Sequence, residues 1–115
     1  PRDNAGTRDW MAPEQTSRST VGPYTDVFGL GVVFYQLLSQ GQLPYSTTEV
    51  EDSSTNGGFV KVPNYEETPK HPSEINELVS RDLGDIAMRA INTSIESRYA
   101  TPAEFGEALA AFQLR

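Results

Sequence analysis

Between Thr25 and Gln40 the chain is apolar at almost every position, with Val27, Phe28, Leu30, Val32, Val33, Phe34, Tyr35, Leu37 and Leu38 leaving hardly any polar face. Periodicity alone does not separate a buried helix from a buried strand here, but a run of this length exceeds an ordinary strand. Thr25 or Asp26 can cap its start, Gly41 can take the left-handed position at its end, and Pro44 blocks continuation. The run therefore predicts a central helix over 25–41. Being apolar nearly all round, it belongs inside a protein.

Two further segments carry helical spacing. Leu83, Ile86, Ala87, Ala90 and Ile91 fall at i, i+3, i+4, i+7 and i+8, one amphipathic stripe within a helix over 80–92. Thr101-Pro102-Ala103-Glu104 forms a capping box with proline at the first helical position, and Phe105, Ala108, Leu109 and Phe112 repeat behind it, predicting a helix over 101–114. Pro13 and Glu14 suit the first turn of a short helix after an extended arm over 1–9. Residues 46–72 are rich in Ser, Thr, Gly, Pro and Glu and read as loop, with Phe59-Val60-Lys61-Val62 as a brief extended segment. The expectation is an all-α fold, one buried helix with two or three amphipathic ones around it and long loops, in a single partial domain over 1–115.

Composition narrows the chemistry. Nine basic against sixteen acidic residues give a formal charge of −7, which repels nucleic-acid backbones and anionic lipid head groups. The chain has no cysteine, so disulfides and thiolate metal sites are excluded, and its one histidine, His71, lies in the proline-flanked stretch Pro69-Lys70-His71-Pro72 and reads as a solvated loop residue. No apolar run is long enough to span a bilayer and no signal-peptide pattern opens the chain, which predicts a cytoplasmic protein binding neither nucleic acid nor membrane. The chain opens at Pro1 without an initiator methionine, the mark of a processed, trimmed or incompletely read polypeptide.

Four motifs share a pattern. Gly6-Thr7-Arg8-Asp9-Trp10-Met11-Ala12-Pro13-Glu14-Gln15 resembles the end of a protein kinase activation segment with its Ala-Pro-Glu motif. Thr25-Asp26-Val27-Phe28-Gly29-Leu30-Gly31-Val32 resembles the family's central-helix signature, an Asp, an aromatic and a Gly five residues beyond the Asp. Gly41-Gln42-Leu43-Pro44-Tyr45 is similar to the turn that closes that helix, and Ile86-Ala87-Met88-Arg89-Ala90-Ile91 with Arg98-Tyr99-Ala100-Thr101 resembles the last two helices and the arginine between them. The chain thus resembles the lower part of the C-lobe of a bacterial-type serine/threonine protein kinase, from the activation segment, ending here at about residue 15, to the final helix. Phe28 stands where many members carry tryptophan, and Ile95 where proline commonly precedes the arginine. The stretch from Ser46 to Asn56, where the family has a helix that docks partners, shows little apolar periodicity.

The resemblance implies roles. Glu14 and Arg98 would form a buried ion pair anchoring the activation segment, since the planar fork of arginine holds a carboxylate bidentately. Gly6, Thr7 and Trp10 would position substrate, Trp10 as part of the wall that receives the residue after the phosphorylated hydroxyl. Asp26 would anchor the central helix, either as an N-cap or, in the family, by holding the backbone of a catalytic loop. That loop is not in this sequence, nor are His-Arg-Asp, Asp-Phe-Gly, a glycine-rich loop or a Val-Ala-Ile-Lys strand. The expectation is therefore no catalytic residue, metal or cofactor in this chain, with ATP and magnesium implied only for a complete parent kinase.

Helices that would cover the central helix in a whole kinase lie upstream of Pro1. Leaving its large side chains in water forfeits about 1.5–3 kcal/mol each, which predicts a homodimer through the uncovered face. The alternatives to a kinase fragment are a free-standing helical module that binds a protein partner and an unrelated small bundle.

Overall fold

The computed structural model describes residues 10–16, 20–52 and 58–113. Along the chain come α1 (Pro13–Thr16), α2 (Pro23–Leu38), β1 (Thr47–Asp52), β2 (Gly58–Pro63), α3 (Pro72–Ile75), α4 (Arg81–Ala90), a 3-10 turn (Ile95–Ser97) and α5 (Pro102–Gln113). The mainly helical architecture expected from the periodicity is the one observed, with α2 packed against α4 and α5.

The central helix starts two residues before the apolar run. Gly22 is its N-cap and Pro23 occupies the first helical position, where the fixed φ of proline is pre-set and its missing N–H costs nothing. Neither Thr25 nor Asp26 is the cap. Thr25, one turn in, accepts a hydrogen bond from the Gly22 N–H through Oγ1 at 3.1 Å, while Asp26 is exposed and touches the helix only through its favourable charge in the first turn. At the other end the left-handed residue after the Ser39 cap is Gln40, with φ 58°, followed by Gly41 at φ 91°. The Gly41 N–H closes the turn on the Gln36 carbonyl at 2.8 Å, and the Asn76 side-chain amide takes the Leu38 carbonyl at 3.1 Å.

Two clusters form the core around α2. Phe28, Val32 and Tyr35 join Ala12, Tyr45 and Ile91 on one side, and Val27 joins Ala90, Tyr99 and Phe105 on the other. Gly31 lets α4 approach, since a Cβ there would lie 2.6 Å from the Ala90 Cβ. The helix is not covered all round, however. Leu30, Val33 and Leu37 form a third face that is 50%, 44% and 75% exposed.

The 46–72 region is more ordered than a loop. β1 and β2 form an antiparallel hairpin in register from Thr47 opposite Pro63 to Asp52 opposite Gly58. An isolated two-stranded hairpin is marginal in water, and this one is tied at its base: the Ser46 carbonyl accepts from Asn64 N–H at 2.7 Å, and the Glu67 carboxylate accepts from Ser46 N–H at 2.8 Å and its hydroxyl at 2.6 Å. His71, expected as a solvated loop residue, is instead the N-cap of α3 with an 11% exposed side chain. Nδ1 accepts from the Ser73 N–H at 3.2 Å, which leaves the ring proton on Nε2 to be donated to Asp85 at 2.8 Å. The Cε1 edge of the ring packs against α4 at Gly84, where a Cβ would come within 2.3 Å of it. Proline at 72 and a bare α4 surface at 84 together pull the histidine out of solvent.

Candidate functional site: a groove at Trp10 and its ion-pair anchor

Residues 10–16 run alongside α2 as a short arm that turns into α1, with Trp10 bonded to Gln36 and Glu14 to Thr25. Ala12 is fully buried, and its N–H is taken by the Gln15 side chain at 2.8 Å, so the first turn of α1 is capped by its own third residue. This geometry points Glu14 inward. Arg98, which follows the 3-10 turn, meets it with Nη1 at 2.7 Å from Oε2 and Nη2 at 3.2 Å from Oε1.

Both side chains are removed from water, with Glu14 4% and Arg98 2% exposed, and each of their polar side-chain atoms has a hydrogen-bond partner. Arg98 also donates from Nη1 to the Tyr24 carbonyl at 2.8 Å and from Nε to the Asn92 carbonyl at 2.9 Å, and its guanidinium carbon sits 5.0 Å from the centre of the Phe28 ring. The Thr25 hydroxyl donates to Glu14 Oε2 at 2.8 Å. Burial pushes the Glu14 carboxyl up, but the hydrogen bonds from Arg98, its own backbone and Thr25, with the Arg98 charge, outweigh it and hold the group below the ordinary carboxylate range. The anchor is a charge pair in which every partner is supplied by an adjoining element.

Beside the anchor lies an open groove of about 660 Å³, bordered by Trp10, Met11, Gln15, Asp26, Leu30 and Pro102. The Trp10 indole N–H donates to the Gln36 side chain at 3.2 Å, and the Met11 carbonyl accepts from the Tyr65 hydroxyl. Asp26 stands on the rim of this groove. Gly6 and Thr7 lie outside the described residues. The structure therefore brings Glu14 and Arg98 together at the start of α2, with Trp10 and Asp26 bordering the groove beside them.

Gln36 and Tyr65 were not singled out by the sequence reading, and Thr25 was read as a cap candidate and motif residue but not as a partner of Glu14. Gln36 is the one amide in the apolar run of α2, and Tyr65 is an aromatic alone in a polar stretch, so each carried a signal as an odd residue in its surroundings. Among the described residues, no group of three or more His, Cys, Asp and Glu side chains converges on a point that could hold a metal ion. Nor is any helix among the described residues long and apolar enough to cross a membrane.

The mainly helical core built round one apolar helix agrees with the fold that the protein kinase resemblance implies. The sequence comparison agrees: the protein kinase domain matches residues 1–108, and the chain belongs to that family. It is 33% identical over 99 residues to the serine/threonine-protein kinase PknB of Mycobacterium leprae, covering 86% of this chain and 15% of the relative. It is 36% identical over 104 residues to the serine/threonine-protein kinase Pkn1 of Myxococcus xanthus, covering 90% of this chain and 14% of the relative. With PknD of Chlamydia abortus the figures are 32% over 96 residues, 84% and 9%. The chain thus spans about one seventh of the length of the first two of these bacterial kinases.

Proposed function

We propose that this chain is the segment of a serine/threonine protein kinase running from the end of the activation segment to the last helix of the C-lobe. The parent enzyme transfers phosphate from ATP to protein hydroxyls, and this segment presents the substrate-facing groove without performing the chemistry. The observation that carries the reading is the buried Glu14–Arg98 pair, which ties the arm bearing Trp10 to the helical core across 84 positions of sequence. Gly6, Thr7 and Trp10 act on the substrate side, with Trp10 walling the groove that takes the residue next to the acceptor hydroxyl. Asp26, exposed at the rim, is free to receive the backbone of a catalytic loop. The assay is ATP turnover by the purified chain with magnesium and a protein acceptor. The expected outcome is no ADP beyond background, and turnover that scales with chain concentration sinks the proposal.

A second reading, a free-standing interaction module on the same scaffold, is favoured by one observation, the exposed Leu30, Val33 and Leu37 stripe. In that reading a protein partner covers the stripe, whereas in the kinase segment taken alone the same bare face predicts a homodimer. Sedimentation across micromolar concentrations tests the homodimer, with a dimer dispersed by Leu37→Lys supporting it and a stable monomer rejecting it.

A further inference from the structure

The Glu14–Arg98 pair holds α1, but Trp10 and Met11 lie on its N-terminal side, and the main chain there is held by Tyr65 from a different part of the fold. Tyr65 lies two residues beyond the end of β2. Its place is set from several directions at once: the β1–β2 ladder fixes Pro63, Asn64 donates to Ser46, and Glu67 clasps Ser46 from the other side. The ring is gripped edge-on between Phe28, at 6.1 Å between centres and 74°, and Tyr45, at 5.7 Å and 66°. A ring so placed sends its hydroxyl to one acceptor, the Met11 carbonyl.

A tyrosine hydroxyl taken out of water requires a partner, and this one finds it on the peptide between the groove wall and the buried Ala12. Burial pushes the Tyr65 hydroxyl well above its ordinary range, so it stays a donor at any neutral pH. The bond therefore fixes the direction in which the chain leaves Ala12 toward Trp10. The Gln36 amide then fixes the indole.

We infer that Tyr65 is a positioning residue for the substrate groove: through the Met11 carbonyl it sets where Trp10 stands, and so makes the base of the β-hairpin part of the groove's support. The inference rests on the functional reading of Trp10 but is tested apart from it. β1 takes a place where the sequence reading expected loop, β2 covers the expected extended run Phe59–Val62, and their structural consequence is to deliver this hydroxyl.

Trp10 is the chain's one tryptophan, so its fluorescence reports on this position alone. Tyr65→Phe keeps the ring and removes the bond. It is expected to shift Trp10 emission to the red and to increase quenching by acrylamide, in the folded chain as judged by circular dichroism. Tyr45→Phe is the matched control, because it removes a hydroxyl from the same aromatic cluster whose acceptor is the Ile91 carbonyl at 2.9 Å, away from the arm. It is expected to leave the emission of the folded chain in place. Unchanged emission in Tyr65→Phe, or an equal shift in both variants, overturns the inference. If Tyr65→Phe does not fold, nuclear Overhauser contacts between the Tyr65 ring and Met11 in the unsubstituted chain decide the matter, their presence supporting it and their absence overturning it. ATP turnover by the chain would refute the functional reading while leaving this result standing, and a failed fluorescence shift would do the reverse.

Discussion

Glu14 and Arg98 meet at 2.7 Å inside the protein, with the Thr25 hydroxyl on the same carboxylate oxygen and two backbone carbonyls on the guanidinium. Removing one partner leaves the other charge buried and unpaired, which is more costly than losing the pair's attraction alone. Arg98→Ala should therefore lower unfolding stability by about 3–5 kcal/mol, measured by urea titration. Arg98→Lys should recover only part of that loss, because one ammonium cannot reach both carboxylate oxygens and the Asn92 and Tyr24 carbonyls together. Equal stability of the lysine variant and the parent would show that charge alone suffices.

The pair also sets the acid limit. The folded-state pKa of Glu14 is depressed from 4.5, so its contribution is fully present above that value and is lost as pH falls through the folded value. The alkaline limit has the opposite sign. Burial, opposed by the Arg98 charge, pushes the Tyr45 hydroxyl up from 10 to about 12, so its contribution is complete below pH 10 and disappears on the way to about 12. Thermal melts against pH should show stability falling below about 4.5 in the parent, and less steeply in Glu14→Gln. Tyr45→Phe should flatten the fall above pH 10.

Gly31 and Gly106 are both helical glycines, yet opposite outcomes are expected from alanine. At Gly31 the new Cβ would sit 2.6 Å from the Ala90 Cβ and 3.1 Å from the Ile91 Cγ2, in the interior where α2 meets α4. Overpacking of that kind costs about 1–3 kcal/mol, which outweighs the gain in helix propensity. At Gly106 nothing lies within 4 Å, so alanine should stabilise by up to about 1 kcal/mol. Denaturant midpoints of the two variants should move in opposite directions, and a stabilised Gly31→Ala would mean that α4 can back away.

The sequence carried the helices because their information is local: Leu83 to Ile91 and Phe105 to Phe112 each repeat with the period of the element they form. Of the hairpin, β2 was legible as the extended run Phe59–Val62, but β1 was hidden for the converse reason. β1 reads Thr-Thr-Glu-Val-Glu-Asp and becomes a strand only by pairing with β2, a relation that no window on β1 contains. Glu14 and Arg98 were brought together only by family resemblance, since no periodicity links residues so far apart. The start of α2 was misplaced because apolar periodicity begins at Val27, whereas the backbone commits at Pro23, a residue whose signal is its ring rather than its hydropathy. Tyr65 and His71 were missed alike: each lies in a polar stretch and is drawn inward by a surface, Phe28 with Tyr45 in one case and Gly84 in the other, that becomes visible only in the fold.

The end of α2 holds a strain that one substitution should relieve. Gln40 sits at φ 58°, a left-handed conformation in which its Cβ crowds the following carbonyl, at a cost of about 1–2 kcal/mol for an L-residue. The conformation is imposed, because the Gly41 N–H must reach the Gln36 carbonyl to close the helix, and the chain must then pass through Pro44 to bring Tyr45 into the core. Gln40 is exposed, so its side chain offers little packing in return. Glycine adopts this conformation freely but adds freedom to the unfolded chain, which takes back about 0.4–1 kcal/mol. Gln40→Gly should therefore raise stability by a net amount on the order of 0.5–1 kcal/mol, with the urea slope unchanged. Gln40→Ala, which keeps the Cβ, should show no such gain. If alanine stabilised as much as glycine, the strain would lie in the glutamine side chain and not in the backbone.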